Sequence, residues 1–203
     1  MKNNGLLIVF SGPSGAGKDT ILNHLMQVNP NLRLSVSATT RSPRVGEVDG
    51  QDYHFITKDQ FKAMADHGEM LESAEYCGNC YGTPSEPIKN WISEGFDVIL
   101  EIEVQGGAQI KKKCPECTSV FILPPSFSVL EHRLRNRNTE NEETIQKRLE
   151  TARKEILEAV HYDYFIINNT VENAADEINA IICAEKHKLY RDSNVIERVL
   201  NNA

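Results

Sequence analysis

From Gly5 to Thr20 the chain reads Gly-Leu-Leu-Ile-Val-Phe-Ser-Gly-Pro-Ser-Gly-Ala-Gly-Lys-Asp-Thr, an apolar run that empties directly into a glycine-rich turn. The run, stopped by Ser11, Gly12 and Pro13, predicts a buried strand over Leu6 to Phe10. Apolar spacing resumes at Ile21, Leu22, Leu25 and Met26, which predicts a helix opening where the turn closes. A turn at a helix N-terminus presents backbone N–H groups that have no intrahelical partner, together with the positive end of the helix dipole. Such a place attracts phosphate, and Gly12-Pro13-Ser14-Gly15-Ala16-Gly17-Lys18 fits the phosphate-loop pattern G-x-x-x-x-G-K. Gly12, Gly15 and Gly17 let the backbone come close, and Lys18 adds a mobile cation for the outer phosphates. The pattern next asks for a hydroxyl on magnesium, but the chain has Asp19 followed by Thr20. A carboxylate beside a polyphosphate is repelled unless a cation lies between them. Asp19 can hold magnesium through a water, or Thr20 can take over part of the hydroxyl's role.

Further buried strands are predicted at Asp97 to Val104, Ser119 to Leu123 and Tyr164 to Asn168, with Glu101 and Glu103 on one face of the first. Helical spacing falls at Asp59 to Met70, with Thr57 as its cap, at Pro87 to Glu94, and over the highly charged stretch Ser128 to Val160. Strands alternating with helices predict an α/β fold: a parallel sheet flanked by helices, with ligand at the carboxyl ends of the strands. Two segments break the alternation. Residues 37–90 are rich in short strands and read as an inserted small domain, and residues 126–155 are rich in Arg and Glu and read as a lid. That leaves 1–36, 91–125 and 156–203 as the core.

The formal net charge of −7 argues against a surface for a nucleic-acid polymer while leaving room for a local basic pocket. The N-terminal apolar run is too short for a membrane span or a signal peptide, so a cytoplasmic protein without a membrane partner is expected. Whether it is a monomer or a homo-oligomer is not legible. Cys77-Gly-Asn-Cys80 and Cys114-Pro-Glu-Cys117 have zinc-site or redox-pair spacing. They fall in segments assigned to different lobes, and reduced, small-residue positions are the expectation.

A second constellation occupies Ser37-Ala-Thr-Thr-Arg-Ser-Pro-Arg-Val-Gly-Glu-Val-Asp-Gly-Gln-Asp-Tyr-His-Phe, where Arg41 and Arg44 flank Ser42-Pro43 and Tyr53 follows. Planar guanidinium forks match phosphate oxygens and a phenol adds a neutral donor, so these three side chains can surround one phosphate. With Gly12 to Thr20, Glu72, the turn Gly78-Asn-Cys-Tyr-Gly-Thr83, the strand end Leu100-Glu-Ile-Glu-Val-Gln-Gly106 and the Arg133 to Arg148 stretch, this segment resembles the guanylate kinase family over nearly the whole chain. The resemblance implies a P-loop NTPase fold that transfers phosphate from ATP, with Mg2+, to GMP. It implies that Arg41, Arg44, Tyr53 and Tyr81 bind the GMP phosphate, that Ser37, Glu72 and Thr83 read the base with Glu103 near it, and that Arg137 and Arg148 close over the transferring group.

The chemistry of guanine agrees with those assignments. Its N1–H and N2–H2 are parallel donors that a single carboxylate such as Glu72 accepts as a pair, and its O6 and N7 accept from hydroxyls such as Ser37 and Thr83. Adenine would set an acceptor against the same carboxylate. Three positions depart from the family pattern: Glu103 replaces the usual Asp, Cys80 a common aromatic, and Asn138 a Gly of the lid motif. Two other readings share parts of these motifs. A kinase for another small phosphate ester, of the ribose bisphosphate type, would not need Glu72 with Ser37 and Thr83. A guanylate-kinase-like binding module would not need Lys18, Arg137 and Arg148.

Overall fold

The computed structural model describes residues 5–76, 78–136, 141–192 and 194–201. Its main sheet has five strands in the order β2 (Leu32–Leu34), β7 (Asp97–Glu101), β1 (Leu7–Ser11), β8 (Thr118–Leu123), β9 (Tyr164–Ile167), and each neighbouring pair is parallel. Alternation along the strands sorts their side chains to two faces. Ile8 and Phe10 of β1, with Ile99 of β7, pack against Ile21 and Leu25 of α1 (Lys18–Val28) and Ile178 of α7 (Val171–Lys186). On the other face Val9, Val98 and Leu100 meet Ile88 of α3 (Ser85–Glu94) and Ile110 of α4 (Val104–Lys113). These strands are buried on both faces, which is why they read as unbroken apolar runs.

A second sheet, of four strands, has the order β4 (His54–Phe55), β3 (Ala38–Thr39), β6 (Asn79–Pro84), β5 (Met70–Tyr76). The β3–β4 pair is parallel and the other two pairs are antiparallel. Its own small core joins Ala38, Met70 and Phe61 of α2 (Lys58–Asp66). A third cluster, Leu130, Leu134, Ile145, Leu149 and Ala152, joins α5 (Phe127–Arg135) to α6 (Glu142–Leu157). A short helix, α8 (Val195–Leu200), lies near the C-terminus. Among the described residues no helix is long and apolar enough to cross a membrane.

Thr57 caps α2 as expected, in a reciprocal capping box with Gln60. Most boundaries fall within two residues of the sequence expectation, and three differ by more. The helix expected to run to Met70 stops at Asp66, because Gly68 takes a left-handed φ of 71° and Met70 already belongs to β5. The helical stretch from Ser128 to Val160 is two helices, each opened by a polar cap, Ser126 and Asn141. The strand expected to reach Val104 ends at Glu101, and Glu103 stands at the N-cap of α4. Gly107 explains that early turn: a Cβ there would come 3.3 Å from Val9 Cγ1 and 2.7 Å from Tyr162 Oη, so only glycine lets α4 lie this close to β1.

Candidate active site

The glycine-rich turn leaves β1 at Ser11 and enters α1 through Gly17, whose φ of 91° is left-handed. A Cβ on Gly12 would stand 2.4 Å from the carbonyl oxygen of Ile122, and one on Gly17 would stand 2.4 Å from Asn168 Nδ2. The loop is thus wedged between the ends of β8 and β9. Asn168 Nδ2 donates to the Ala16 carbonyl at 2.7 Å, and Arg133 Nη1 donates to the same oxygen at 3.1 Å. Those bonds brace the loop from behind while its front faces the cleft. Lys18 Nζ bends back over the loop, donating to the Gly12 carbonyl at 2.8 Å and lying 3.9 Å from Glu101 Oε1.

Glu101 ends β7 beside Lys18 and Asp19. Burial pushes its carboxyl up to about 7; Lys18 pulls it down, and the neighbouring Asp19 pushes it up again. Two neighbouring carboxyl groups next to a lysine leave a local excess of oxygen ligands. That donor chemistry fits a hard cation such as Mg2+. Thr20 is exposed on the first turn of α1. Among the described residues no group of three or more His, Cys, Asp and Glu could by itself hold a metal, so the fit is to an ion that brings phosphate oxygens and waters with it.

Across from the loop lies a cavity of about 250 Å3 lined by Ser37, Tyr53, Glu72, Ala74, Tyr81, Gly82, Glu101, Ile102, Glu103 and Gly106. Glu72, on β5, is only 5% exposed and accepts a hydrogen bond from Thr83 Oγ1 of β6 at 2.7 Å. Burial raises its carboxyl above the ordinary range; the Thr83 hydroxyl and Lys113 pull it back, and Glu103 adds to the rise. Gly106 forms the wall behind it, where a Cβ would stand 3.0 Å from Glu72 Oε2. At one side, Tyr53 and Tyr81 meet edge to face with centroids 6.1 Å apart. The Arg41 guanidinium lies 5.3 Å from the Tyr53 ring centre, stands beside the Tyr81 hydroxyl, and forms a bidentate pair with Glu47. Arg44 is exposed on the turn that follows.

A larger cavity of about 850 Å3 opens between α4 and α6, with Ser14, Glu103, Arg148 and Glu155 in its lining. Glu103 borders both cavities. Two side chains of α6 reach the phosphate loop: Arg148 Nη1 donates to Ser14 Oγ at 3.4 Å, and the Glu155 carboxylate lies close to the Ser14 backbone N–H. Arg135 is committed elsewhere, to Glu131 at 2.9 Å and to Glu142. Arg137 lies outside the described residues.

Ser37, Tyr53, Glu72, Tyr81 and Glu103 therefore line one cavity, with Thr83 bonded to Glu72 and Arg41 beside Tyr81. Glu101, Glu155 and Arg133 around the loop escaped the sequence reading as parts of this site. Only Glu101 carried a usable signal, as a carboxylate ending a buried run; the others depend on where helices land. Cys80, Cys114 and Cys117 are free thiols, and Cys77 lies outside the described residues. Burial raises Cys117 to about 11, which keeps it a thiol rather than a reactive thiolate.

A parallel α/β sheet with a glycine-rich phosphate loop after its first strand, and a cavity lined by Glu72, Glu101 and Glu103 beside it, defines a P-loop NTPase fold. A profile described as Guanylate kinase matches residues 4–185. The chain is 51% identical over 192 residues to a guanylate kinase of Clostridioides difficile (strain 630), covering 95% of this chain and 94% of that one. It is 46% identical over 198 residues to a guanylate kinase of Desulfitobacterium hafniense (strain Y51), covering 98% and 99%. A crystal structure of guanylate kinase from Anaplasma phagocytophilum aligns with a TM-score of 0.77 at 35% identity, over 94% of this chain and 91% of that one. The chain belongs to the guanylate kinase family.

Proposed function

We propose that this protein transfers the γ-phosphoryl group of ATP to GMP, and to dGMP, giving ADP and the nucleoside diphosphate, and so supplies GTP and dGTP synthesis in the cytoplasm. The observation that carries the reading is the buried carboxylate of Glu72, hydrogen-bonded to Thr83 in a cavity facing the phosphate loop. The acceptor is a phosphate oxygen that is already anionic near neutral pH, so no general base is needed. The obstacle is repulsion between two polyanions, and catalysis consists of placing cations between them.

In this reading Gly12 to Thr20 cradle the ATP phosphates, and Lys18 leaves the Gly12 carbonyl to meet the outer ones. Arg41, Arg44, Tyr53 and Tyr81 hold the GMP phosphate, while Ser37, Glu72, Thr83 and Glu103 face guanine. Arg137 and Arg148 bring positive charge from the lid, residues 126–155, which closes over the small GMP-binding domain, residues 37–90, and excludes water. Magnesium bound with ATP would be held through phosphate oxygens and waters near Asp19, Thr20 and Glu101, where it would neutralise charge on the transferring phosphates. Neither a nucleic-acid polymer nor a membrane is a partner in this scheme, and either a monomer or a homo-oligomer is compatible with it.

A substrate panel with ATP as donor tests the proposal: GMP, dGMP, AMP, UMP and sugar phosphates. Consumption of ATP strictly dependent on GMP or dGMP is the expected result. Turnover of a sugar phosphate, or no turnover at all, would replace it with a small phosphate-ester kinase or a non-catalytic module. Gly106→Ala is a finer probe. Its new Cβ would stand 3.0 Å from Glu72 Oε2, closer than such contacts normally come, and the carboxylate must shift. The GMP Michaelis constant should rise about tenfold, and that for ATP should stay within about twofold.

A further inference from the structure

The turn between Arg41 and Tyr53 carries a carboxylate to which neither the phosphate grip nor the base pocket assigns a role. Glu47 Oε1 and Oε2 accept from Arg41 Nη2 and Nη1, both at 2.8 Å, and Oε2 also accepts from the Arg44 backbone N–H at 2.6 Å. The Glu47 N–H returns a bond to the Arg44 carbonyl at 3.1 Å, and Arg41 Nη1 gives another proton to the Ser42 carbonyl at 2.8 Å. One carboxylate thus ties the side chain of the first arginine to the backbone of the second.

A carboxylate in this position has two conceivable effects. It can compete with phosphate for Arg41, or it can hold Arg41 still. Two features of the geometry decide between them. Glu47 is anchored by the Arg44 N–H within its own turn, so it cannot leave Arg41 without opening that turn. It also takes only the Nη1 and Nη2 end of the guanidinium, while the Tyr81 hydroxyl stands beside the same group and the Tyr53 ring centre lies 5.3 Å away. Donors on the remaining edge stay available for an oxyanion beside the two phenols.

We propose that Glu47 is a positioning residue for phosphate recognition, fixing Arg41 and Arg44 in the spacing that a nucleoside monophosphate requires. The proposal rests on the reading of those arginines as the GMP phosphate grip. Arginine loses considerable rotamer freedom when it binds an anion, and a partner that imposes this loss beforehand strengthens binding. Glu47 keeps its charge across the working pH range, because the bonds from Arg41 and Arg44 hold its carboxyl down at about 2.

The test is calorimetric binding of GMP and of guanosine to wild type, Glu47→Gln, Arg41→Ala and the Arg41→Ala/Glu47→Ala double variant, with Michaelis constants alongside. In Glu47→Gln the amide sets a donor against Arg41, and GMP affinity should fall about tenfold with guanosine affinity and turnover at saturating GMP nearly unchanged. The double variant should bind GMP no more weakly than Arg41→Ala alone, since the brace acts through that arginine. Unchanged or tighter GMP binding by Glu47→Gln would overturn the proposal, and so would an equal loss for guanosine, which would mark a general loosening of the turn. Equal wild-type affinity for GMP and guanosine would remove the grip and the brace together. Discrimination that Arg41→Ala abolishes and Glu47→Gln leaves intact would overturn the brace alone.

Discussion

Replacing Lys18 by alanine is expected to lower turnover about 1,000-fold while leaving the GMP Michaelis constant within about twofold. Lys18 opens the first turn of α1 and bends back to the Gly12 carbonyl, so its ammonium lies at the mouth of the loop rather than in the GMP cavity. A cation there acts most strongly when negative charge accumulates on the oxygens between donor and acceptor, as phosphoryl transfer requires. Removing it also leaves Glu101 and Asp19 without their nearest positive charge, which adds repulsion against the ATP phosphates. Steady-state kinetics with each substrate varied in turn measure the effect. A raised GMP Michaelis constant with unchanged turnover would assign Lys18 to acceptor binding and refute its placement on the donor phosphates.

Glu72→Gln should lower kcat/KM for GMP by roughly 1,000-fold or more and leave the ATP Michaelis constant intact. The glutamine keeps one oxygen to accept from Thr83, but it turns an NH2 toward the guanine N1–H and N2–H2. Donors then face donors in a site only 5% exposed, and the unmade hydrogen bonds cannot be replaced by water. The same carboxylate predicts a pH dependence. Only its ionised form accepts both guanine donors, and burial raises its proton affinity above that of an ordinary glutamate. Guanosine, which lacks a phosphate of its own to titrate, should therefore bind more weakly as pH falls, with the loss beginning above the usual carboxylate range of about 4.3. Glu72→Gln should show no such dependence. A loss of GMP use matched by an equal loss of ATP binding would mean that Glu72 supports the fold rather than the base.

The parallel sheet was legible because strands buried on both faces must be apolar throughout, and Leu7 to Phe10 and Val98 to Leu100 are. The phosphate loop was legible because strand, glycines, lysine and helix follow one another along the chain. Helix α4 was not: its Gly106-Gly107 pair and its lysines carry little helical signal, and it forms because those glycines let it lie against β1 and Glu72. The early end of β7 at Glu101 was hidden for the same reason, since period-two alternation continues into Glu103 although the backbone has turned.

By itself the sequence determined a phosphate loop at Gly12 to Thr20, a cationic segment around Arg41 and Arg44, and a carboxylate suited to guanine at Glu72. Each of these is local, and its chemistry follows from residue types at short spacing. Only the tertiary structure decided which groups act together. It placed Asn168 and Arg133 behind the loop, set Glu101 beside Asp19, brought Arg148 and Glu155 of α6 onto Ser14, and turned Glu47 back onto Arg41. Most of these contacts join residues far apart in the chain, and the last depends on a turn whose closure no spacing pattern announces. The reason in each case is the same: a charged or amide side chain will pair with whatever partner the fold brings within hydrogen-bond distance, and the sequence lists the groups without the distances.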